Sequence, residues 1–152
     1  MGLEAYAAQW SKTEPAINLT HIFEGEVNSR GKAVGFHARP FGQDPQNAHL
    51  SRLIAGPNQQ GVYTGASEIY DKVQARWRHK SFSSFFPDQL SREYVVKLIL
   101  EAYKNAKVTK QGKWRGASGA GFRIEGWLCP PQGIPSCPKG AINTAYPIYR
   151  KD

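Results

Sequence analysis

The stretch HIFEGEVNSRGKAVGFH, residues 21–37, begins and ends with a histidine and contains three glycines. On a straight helix or strand, two residues with this separation would lie far apart. Because glycine adopts a positive φ angle without a steric penalty, the three glycines allow the chain to turn back on itself. The stretch therefore predicts a bent hairpin or loop that returns His37 to a position beside His21.

Downstream of this bend, the sequence predicts short strands and one long helix. Apolar and polar residues alternate in VQARWR, residues 73–78, which indicates a strand that delivers Lys80 at its end. Residues 85–108 contain a proline, capping residues and an apolar stripe at helical spacing, so they predict a helix that packs on the core. A glycine turn then leads into a strand near residues 122–128, and GAINTAYPIY, residues 140–149, predicts another strand.

Two segments give weaker patterns. The alanine-rich residues 3–10 predict a short helix, and residues 39–60, rich in Pro, Gly, Asn and Gln, predict a long surface loop with one helical turn at residues 49–54. Strands and helices do not alternate regularly along the chain. The predicted fold class is therefore α+β with antiparallel sheets.

The chain of 152 residues is basic, with 20 Lys and Arg against 12 Asp and Glu and a net charge of +8. Clustered cations favour polyanion partners, although general solubility explains a basic surface equally well. Basic and aromatic residues are interleaved in QARWRHKSFSSFF and TKQGKWRG, which favours RNA, while Trp77 and Trp114 alone are more simply explained as core residues. No apolar run is long enough to span a membrane, and the N-terminus lacks a signal-peptide pattern, so we expect no membrane partner.

Cys129 and Cys137 flank the short loop PPQGIPS. A disulfide between them is geometrically possible, and two cysteines alone are too few for a zinc site. The sequence therefore favours free thiols or a stapled loop over a metal site, and it leaves the redox compartment open.

Two adjacent histidines suit proton transfer because imidazole titrates near neutral pH. RNA cleavage by the 2'-hydroxyl needs one group to remove that proton, another to protonate the departing 5'-oxygen, and a fixed cation, for which Lys80 is a candidate. The two-residue period of a strand also places Ile142, Thr144 and Tyr146 on one face. No metal-binding signature is present in the sequence.

Four motifs occur in one order: HIFEGE, GFH, KSFSSFFP and NTAYPIY. In this order the chain resembles the bacterial branch of the EndoU endoribonucleases and, more distantly, the nuclease domain of the coronavirus uridylate-specific endoribonuclease. The resemblance implies a compact fold in which two small antiparallel β-sheet lobes with flanking helices border an active-site groove. It also implies a nuclease domain over residues 21–152, and residues 1–20 before it contain the predicted N-terminal helix and a lead-in.

The resemblance implies a role for each matching residue. His21 matches the general acid, His37 the general base and Lys80 the third member of the catalytic triad. The positions that contact substrate are Ser84 and Thr144, which face the nucleobase, Tyr146, which packs on the ribose or base, and Gly35, which lets the backbone approach the phosphate. No metal ligand is implied.

The expected activity is cleavage of single-stranded RNA to 2',3'-cyclic phosphate and 5'-hydroxyl ends, with a suspected preference for uridylates. No cofactor is required, although manganese stimulates some relatives. Two alternatives stay open: a non-catalytic RNA-binding module, and the same nuclease acting on tRNA as an interbacterial toxin with an immunity protein as partner. The expected location is accordingly cytoplasmic, or secreted as a toxin module.

Overall fold

A computed structural model describes residues 8–152 of the chain. These residues form two α-helices and three antiparallel sheets. The helices are α1 (Leu19–Phe23) and α2 (Arg92–Lys104), and the strands are β1 (Glu26–Val27), β2 (Ala33–Val34), β3 (Ala48–Ala55), β4 (Tyr63–Asp71), β5 (Arg76–Phe85), β6 (Lys107–Val108), β7 (Lys113–Ala117), β8 (Arg123–Leu128) and β9 (Ile142–Pro147). The strand orders are β1-β2, β3-β4-β5 and β6-β7-β8-β9, which confirms the predicted α+β class with antiparallel sheets.

The larger core lies between α2 and the inner face of the four-stranded sheet. The side chains of Val95 and Ile99 on the helix pack with Trp114, Ile124 and others from the sheet. Burying a large apolar side chain of this kind contributes about 1.5–3 kcal/mol. Ser91 caps the helix by accepting a hydrogen bond from the backbone N–H of Tyr94, so the predicted helix is confirmed with a start at residue 92.

A second core packs against the three-stranded sheet. In it the Phe36 and Phe85 rings meet edge to face, and the Tyr63 ring stacks on the Phe85 ring. A third, smaller cluster contains the disulfide between Cys129 and Cys137. The PPQGIPS loop is therefore stapled, which was one of the two alternatives left open by the sequence.

Several predictions of local structure were wrong. Residues 48–55 form a strand rather than a loop with a helical turn, because pairing with β4 outweighs the helix-like spacing of Leu50, Leu53 and Ile54. The strand predicted at residue 73 begins at residue 76, after a turn in which Ala75 has a φ angle of +53°. Trp77 is also not a core residue, since 43% of it is exposed, whereas Trp114 is buried.

The N-terminal prediction can be followed only in part. Of the helix predicted at residues 3–10, residues 3–7 lie outside the described residues, and residues 8–10 are not helical. The predicted domain boundary between residues 20 and 21 falls within α1 and stays a prediction.

Candidate active site

The bend predicted between the two histidines is present. His21 lies in α1, whose first turn is fixed because Asn18 accepts a hydrogen bond from the His21 backbone N–H at 3.0 Å. The β1-β2 hairpin then reverses the chain, and the backbone N–H groups of Phe36 and His37 donate to the carbonyl groups of His21 and Ile22, each at 2.7 Å. The two imidazole rings lie with their centroids 6.1 Å apart.

Gly35 makes this approach of the two segments sterically possible. Its φ angle is +80°, and a Cβ atom at this position would lie 2.3 Å from the carbonyl oxygen of His21. Any other residue would therefore push the two segments apart or distort the turn. The sequence predicted a close approach to phosphate at Gly35, and the structure places it against the His21 backbone.

His37 is 7% exposed and is held by the end of β5. Its Nδ1 lies 3.0 Å from the carbonyl oxygen of Ser84 and 3.0 Å from Ser83 Oγ. Because a carbonyl oxygen can only accept, Nδ1 carries the proton and Nε2 keeps its lone pair. Burial, the positive charge of Lys80 and the presence of His21 lower the pKa of His37 well below its usual range, so the ring is neutral at pH 7.

Lys80 lies on the same network. Its Nζ donates to the carbonyl oxygen of Gly35 at 2.8 Å and to Ser83 Oγ at 3.1 Å, which leaves one of its three donors for another acceptor. Ser83 in turn donates to the carbonyl oxygen of Phe36. Burial, with a smaller contribution from Lys32, lowers the pKa of Lys80 to about 8.

A β-bulge puts Lys80 and Ser83 on one face of β5. Ser67 pairs with Lys80 and Gly65 pairs with Ser83, so β5 advances three residues while β4 advances two. Residues three apart would point to opposite faces of a regular strand, but the extra residue restores them to the same face. The sequence predicted Lys80 at the end of this strand. The structure instead places Lys80 within β5.

His21 has a different partner. Its Nδ1 lies 3.2 Å from Glu26 Oε2, and both residues belong to the HIFEGE motif. The carboxylate can only accept, so Nδ1 carries a proton here as well, and Nε2 is the ring atom left to exchange a proton with a ligand.

Tyr146 lies against His37, with its ring centroid 5.3 Å from that of the imidazole. Its hydroxyl donates to Glu125 at 2.5 Å, and Arg115 donates to the same carboxylate at 2.8 Å. Burial and the bond to Glu125 raise the pKa of Tyr146, so the hydroxyl stays protonated. The tyrosine is thus fixed in place by β7 and β8.

Thr144 lies two residues from Tyr146 on the same face of β9, and its buried Oγ1 has no hydrogen-bond partner among the described residues. The predicted inclusion of Ile142 on this face was wrong. Trp127 pairs with Thr144 and Leu128 pairs with Ile142, so Asn143 is an extra residue that turns Ile142 into the core. A buried hydroxyl without a partner is uncommon in proteins and is a candidate for ligand contact.

Ser84 contacts the site through its backbone, because its carbonyl group holds His37. Its hydroxyl forms no hydrogen bond within residues 8–152. The structure therefore brings His21, His37, Lys80 and Gly35 into one cluster, with Tyr146 and Ser84 against His37 and Thr144 adjacent on β9.

Sequence reasoning missed Glu26, Ser83 and Glu125, which hold the predicted side chains. Glu26 could have been found, because it lies in the same motif as His21. Ser83 could not, because the bulge that aligns it with Lys80 has no signature in the sequence. Glu125 is found only from the pairing of β8 with β9, which places it opposite Tyr146.

The other two histidines lie elsewhere. His79 pairs with Glu68 on the exposed surface, and the His49 ring lies against the Trp77 ring. Within the described part of the chain, no group of three or more His, Cys, Asp or Glu residues is arranged to hold a metal ion. None of the helices described is long and apolar enough to cross a bilayer.

Fold and site together define an α+β protein with two histidines and a lysine clustered at the junction of its sheets. Comparison with known proteins agrees with this class. The family model for the bacterial EndoU nuclease matches residues 16–149, and the chain therefore belongs to the bacterial EndoU nuclease family.

A curated relative from Bacillus cereus, named Toxin, is 32% identical over 114 residues. The match covers 72% of this chain and 20% of the relative, so the chain spans about a fifth of that protein's length. No solved structure gives a significant match.

Proposed function

We propose that the chain is an endoribonuclease that cuts single-stranded RNA by attack of the 2'-hydroxyl on the adjacent phosphodiester. The observation that carries this proposal is the pair of imidazole rings 6.1 Å apart, with a lysine bound to the turn that joins them. A phosphate placed between the rings would have a proton acceptor on one side and a donor on the other. These are the two groups that this reaction needs.

His37 acts as the general base. Its ring is neutral, and the bond from Nδ1 to the Ser84 carbonyl leaves Nε2 free to accept a proton. Nε2 takes the proton from the 2'-hydroxyl while O2' bonds to phosphorus. The base is thereby converted to an imidazolium ion, which the buried site tolerates only until it loses the proton again.

His21 acts as the general acid. As the bond from phosphorus to O5' breaks, Nε2 of the protonated ring gives its proton to O5', while Glu26 holds Nδ1. The products are a 2',3'-cyclic phosphate and a 5'-hydroxyl end. One proton enters the site at His37 and one leaves it at His21, so the charge of the protein is unchanged over the reaction.

Lys80 stabilises the transition state. The phosphorane carries more negative charge than the starting diester, and a fixed ammonium group lowers the energy of that charge without having to reorganise. Two donors of Lys80 are held by Gly35 and Ser83, which aims the third. The residue must be protonated to act in this way.

The nucleobase is read by Ser84, Thr144 and Tyr146. The Ser84 and Thr144 hydroxyl groups are both without partners among the described residues, and each can donate to or accept from a base edge. The Thr144 hydroxyl is buried, so it reaches a base after its side chain rotates outward. The Tyr146 ring provides a stacking surface beside His37. We propose that this set favours a uridylate, because uracil presents an N3–H donor between two carbonyl acceptors and a hydroxyl can pair with either kind of group.

The biological role we propose is that of a toxin module, acting on tRNA or another cellular RNA. This rests on the name of the Bacillus cereus relative and on the fifth of its length that the chain spans. An immunity protein that covers the site would be its partner in the producing cell. The module would be secreted or delivered in that role and would act in the cytoplasm of the target cell.

We propose that no metal is required and that manganese acts only as a stimulant. The donor groups in the described residues do not form a metal-binding set, and no step above passes through a metal. Activity in EDTA, followed by addition of manganese, separates a requirement from a stimulation.

The test uses two matched oligonucleotides in EDTA: one RNA with a single uridine, and the same RNA with 2'-deoxyuridine at that position. We expect cleavage of the first alone, with a cyclic phosphate product seen by mass spectrometry. Cleavage of both would overturn the mechanism in favour of direct hydrolysis. If neither is cut in EDTA or after manganese is added, but both bind, the chain is a non-catalytic RNA-binding module.

A further inference from the structure

A cleft of about 540 Å³ lies beside the candidate active site and plays no part in the chemistry proposed above. Its walls include the turn between β7 and β8, the residues that follow β9, and Asn58 and Gln60. Arg123, Arg150 and Lys151 line it. Among the described residues, no carboxylate lies within ion-pair distance of these three side chains.

The cations at this cleft are held in position by the backbone. Asn58 donates to the carbonyl oxygen of Arg150 at 3.0 Å, and the backbone N–H of Gln59 donates to Asp152 at 3.0 Å. The Ile148 N–H donates to the carbonyl oxygen of Arg123 at 2.8 Å, which extends the pairing of β8 with the chain beyond β9. Arg150 and Lys151 are therefore presented by an anchored segment and not by a loose end.

The cleft lies near Tyr146 of the active site along the chain that continues from β9. Ile148 lines the cleft and lies two residues beyond Tyr146, a step of about 7 Å along an extended chain. A second connection crosses the sheet, since Arg115 lines the cleft and also binds the Glu125 carboxylate that holds the Tyr146 hydroxyl. The cleft is thus within reach of a chain whose reacting phosphate lies at His37.

The chemistry of the cleft fits a phosphodiester better than a nucleobase. Four cationic side chains line the cleft, those of Arg115, Arg123, Arg150 and Lys151, against one carboxylate, that of Asp152, which accepts a hydrogen bond from the Gln59 backbone N–H. Guanidinium and ammonium donors bind phosphate oxygens well. The wall at Gly119 is open, because a Cβ atom at that position would have no neighbour within 4 Å. This leaves room for a bulky, hydrated backbone to enter.

We propose that this cleft binds a backbone phosphate of the RNA substrate, away from the bond that is cut. The proposal rests on the proposed function, because it assumes that RNA is the substrate. The cleft would raise the affinity for long RNA without contacting the reacting groups. A dinucleotide would be too short to reach it.

The experiment compares a uridine-containing dinucleotide with an RNA of about twelve nucleotides, a length within the range that single-stranded binding sites cover. The test variant is the double change Arg123→Gln with Arg150→Gln. The control is Lys97→Gln with Lys104→Gln, which removes the same charge from exposed positions on α2, the helix packed on the opposite face of the sheet.

For the test variant we expect kcat/KM on the long RNA to fall about tenfold, or roughly threefold for each of two solvent-exposed charge contacts. The slope of log affinity against log salt should fall by about 1.4, or 0.7 for each of two phosphate contacts. The dinucleotide should be cut at the native rate, and the control variant should match the native protein on both substrates.

Equal losses on both substrates, or equal losses in the test and control variants, would overturn the proposal. A native salt slope in the test variant, combined with weakened binding of an acidic protein partner, would instead identify the cleft as a protein-docking surface. If the native protein cuts neither substrate, the proposed function has failed. The salt slope for an RNA carrying a 2'-O-methyl uridine then tests the cleft independently.

Discussion

The two histidines lie next to each other but belong to regions with opposite surroundings. His21 lies on a one-turn helix, and its ring nitrogen contacts the carboxylate of Glu26. His37 is buried against β5, where its ring nitrogen contacts a carbonyl oxygen and an ammonium group lies on the same hydrogen-bond network. One ring therefore has a carboxylate behind it, and the other has a carbonyl oxygen and a nearby cation. Burial and that cation lower the pKa of His37.

The group that contacts each Nδ1 atom, and not the imidazole ring itself, determines whether that histidine suits the role of acid or of base. A carboxylate partner balances an imidazolium ion, whereas a carbonyl partner beside a cation disfavours it. The histidines cannot be distinguished by residue type. They are distinguished by what the fold places behind them.

The largest expected effect is the loss of either histidine. His21→Ala and His37→Ala should each lower kcat on RNA by about 10²- to 10⁴-fold, the range typical of a lost general acid or base. A uridine 3'-phosphate ester with a 4-nitrophenyl leaving group separates the two variants, because nitrophenolate departs without being protonated. We expect that ester to rescue His21→Ala and not His37→Ala, as measured by the release of nitrophenolate.

Binding of an RNA with a 2'-O-methyl uridine provides the control, and should change no more than a few-fold in either variant. Rescue of both variants, or of His37→Ala alone, would contradict the assignment of roles from the Nδ1 partners.

The second effect is on the pH dependence. On the nitrophenyl ester the acid is not needed, so a fall in rate at high pH reports the loss of the Lys80 charge. Because burial lowers the pKa of Lys80 to about 8, the rate should fall as the pH rises through that value. Lys80→Arg should move the fall beyond pH 9 or so, since guanidinium stays charged there. An unchanged profile in Lys80→Arg would show that another group titrates.

A smaller effect is expected at the partner of His21. Glu26→Gln removes the charge and keeps the size, and should slow RNA cleavage by about 10- to 100-fold, which corresponds to one hydrogen bond to a charged group. The nitrophenyl ester should be cut at nearly the native rate. Equal slowing on both substrates would mean that Glu26 supports the fold of the hairpin and not the acid.

The smallest effect on the rate is expected when the Ser83 hydroxyl, which contacts His37, is removed. Ser83→Ala removes one hydroxyl from the network, but the Ser84 carbonyl still holds the ring, so the rate should fall only about tenfold or less. Ser81→Ala, at an exposed position two residues earlier on the same strand, is the matched control and should be silent. If Ser83→Ala is as damaging as His37→Ala, the serine has a direct role.

The sequence was sufficient for features that depend on local chemistry. The apolar stripe and cap of α2 predicted that helix, and the glycines predicted the bend between the histidines. The two-residue period of β9 predicted that Thr144 and Tyr146 share a face, and the motif order identified the family. Each of these follows from residues close together in the chain.

What could not be predicted depends on pairing between distant strands. The bulge at Asn143 reverses the side of Ile142, and the bulge in β5 aligns Ser83 with Lys80. Residues 48–55 form a strand only because β4 lies beside them. Register is a property of two strands together, and the alternation within one strand does not reveal where an extra residue is inserted.

The contact at Gly35 has a consequence for how such sequences are compared. The two histidine segments are joined through the main chain, by hydrogen bonds to His21 and Ile22, so the number of residues between them is not what sets the distance between the rings. The tip of the hairpin, residues 28–30, is exposed and can change in length without moving either end. A search pattern for related chains should therefore fix the two motifs and the glycine two positions before the second histidine, and should let the spacing between the motifs vary.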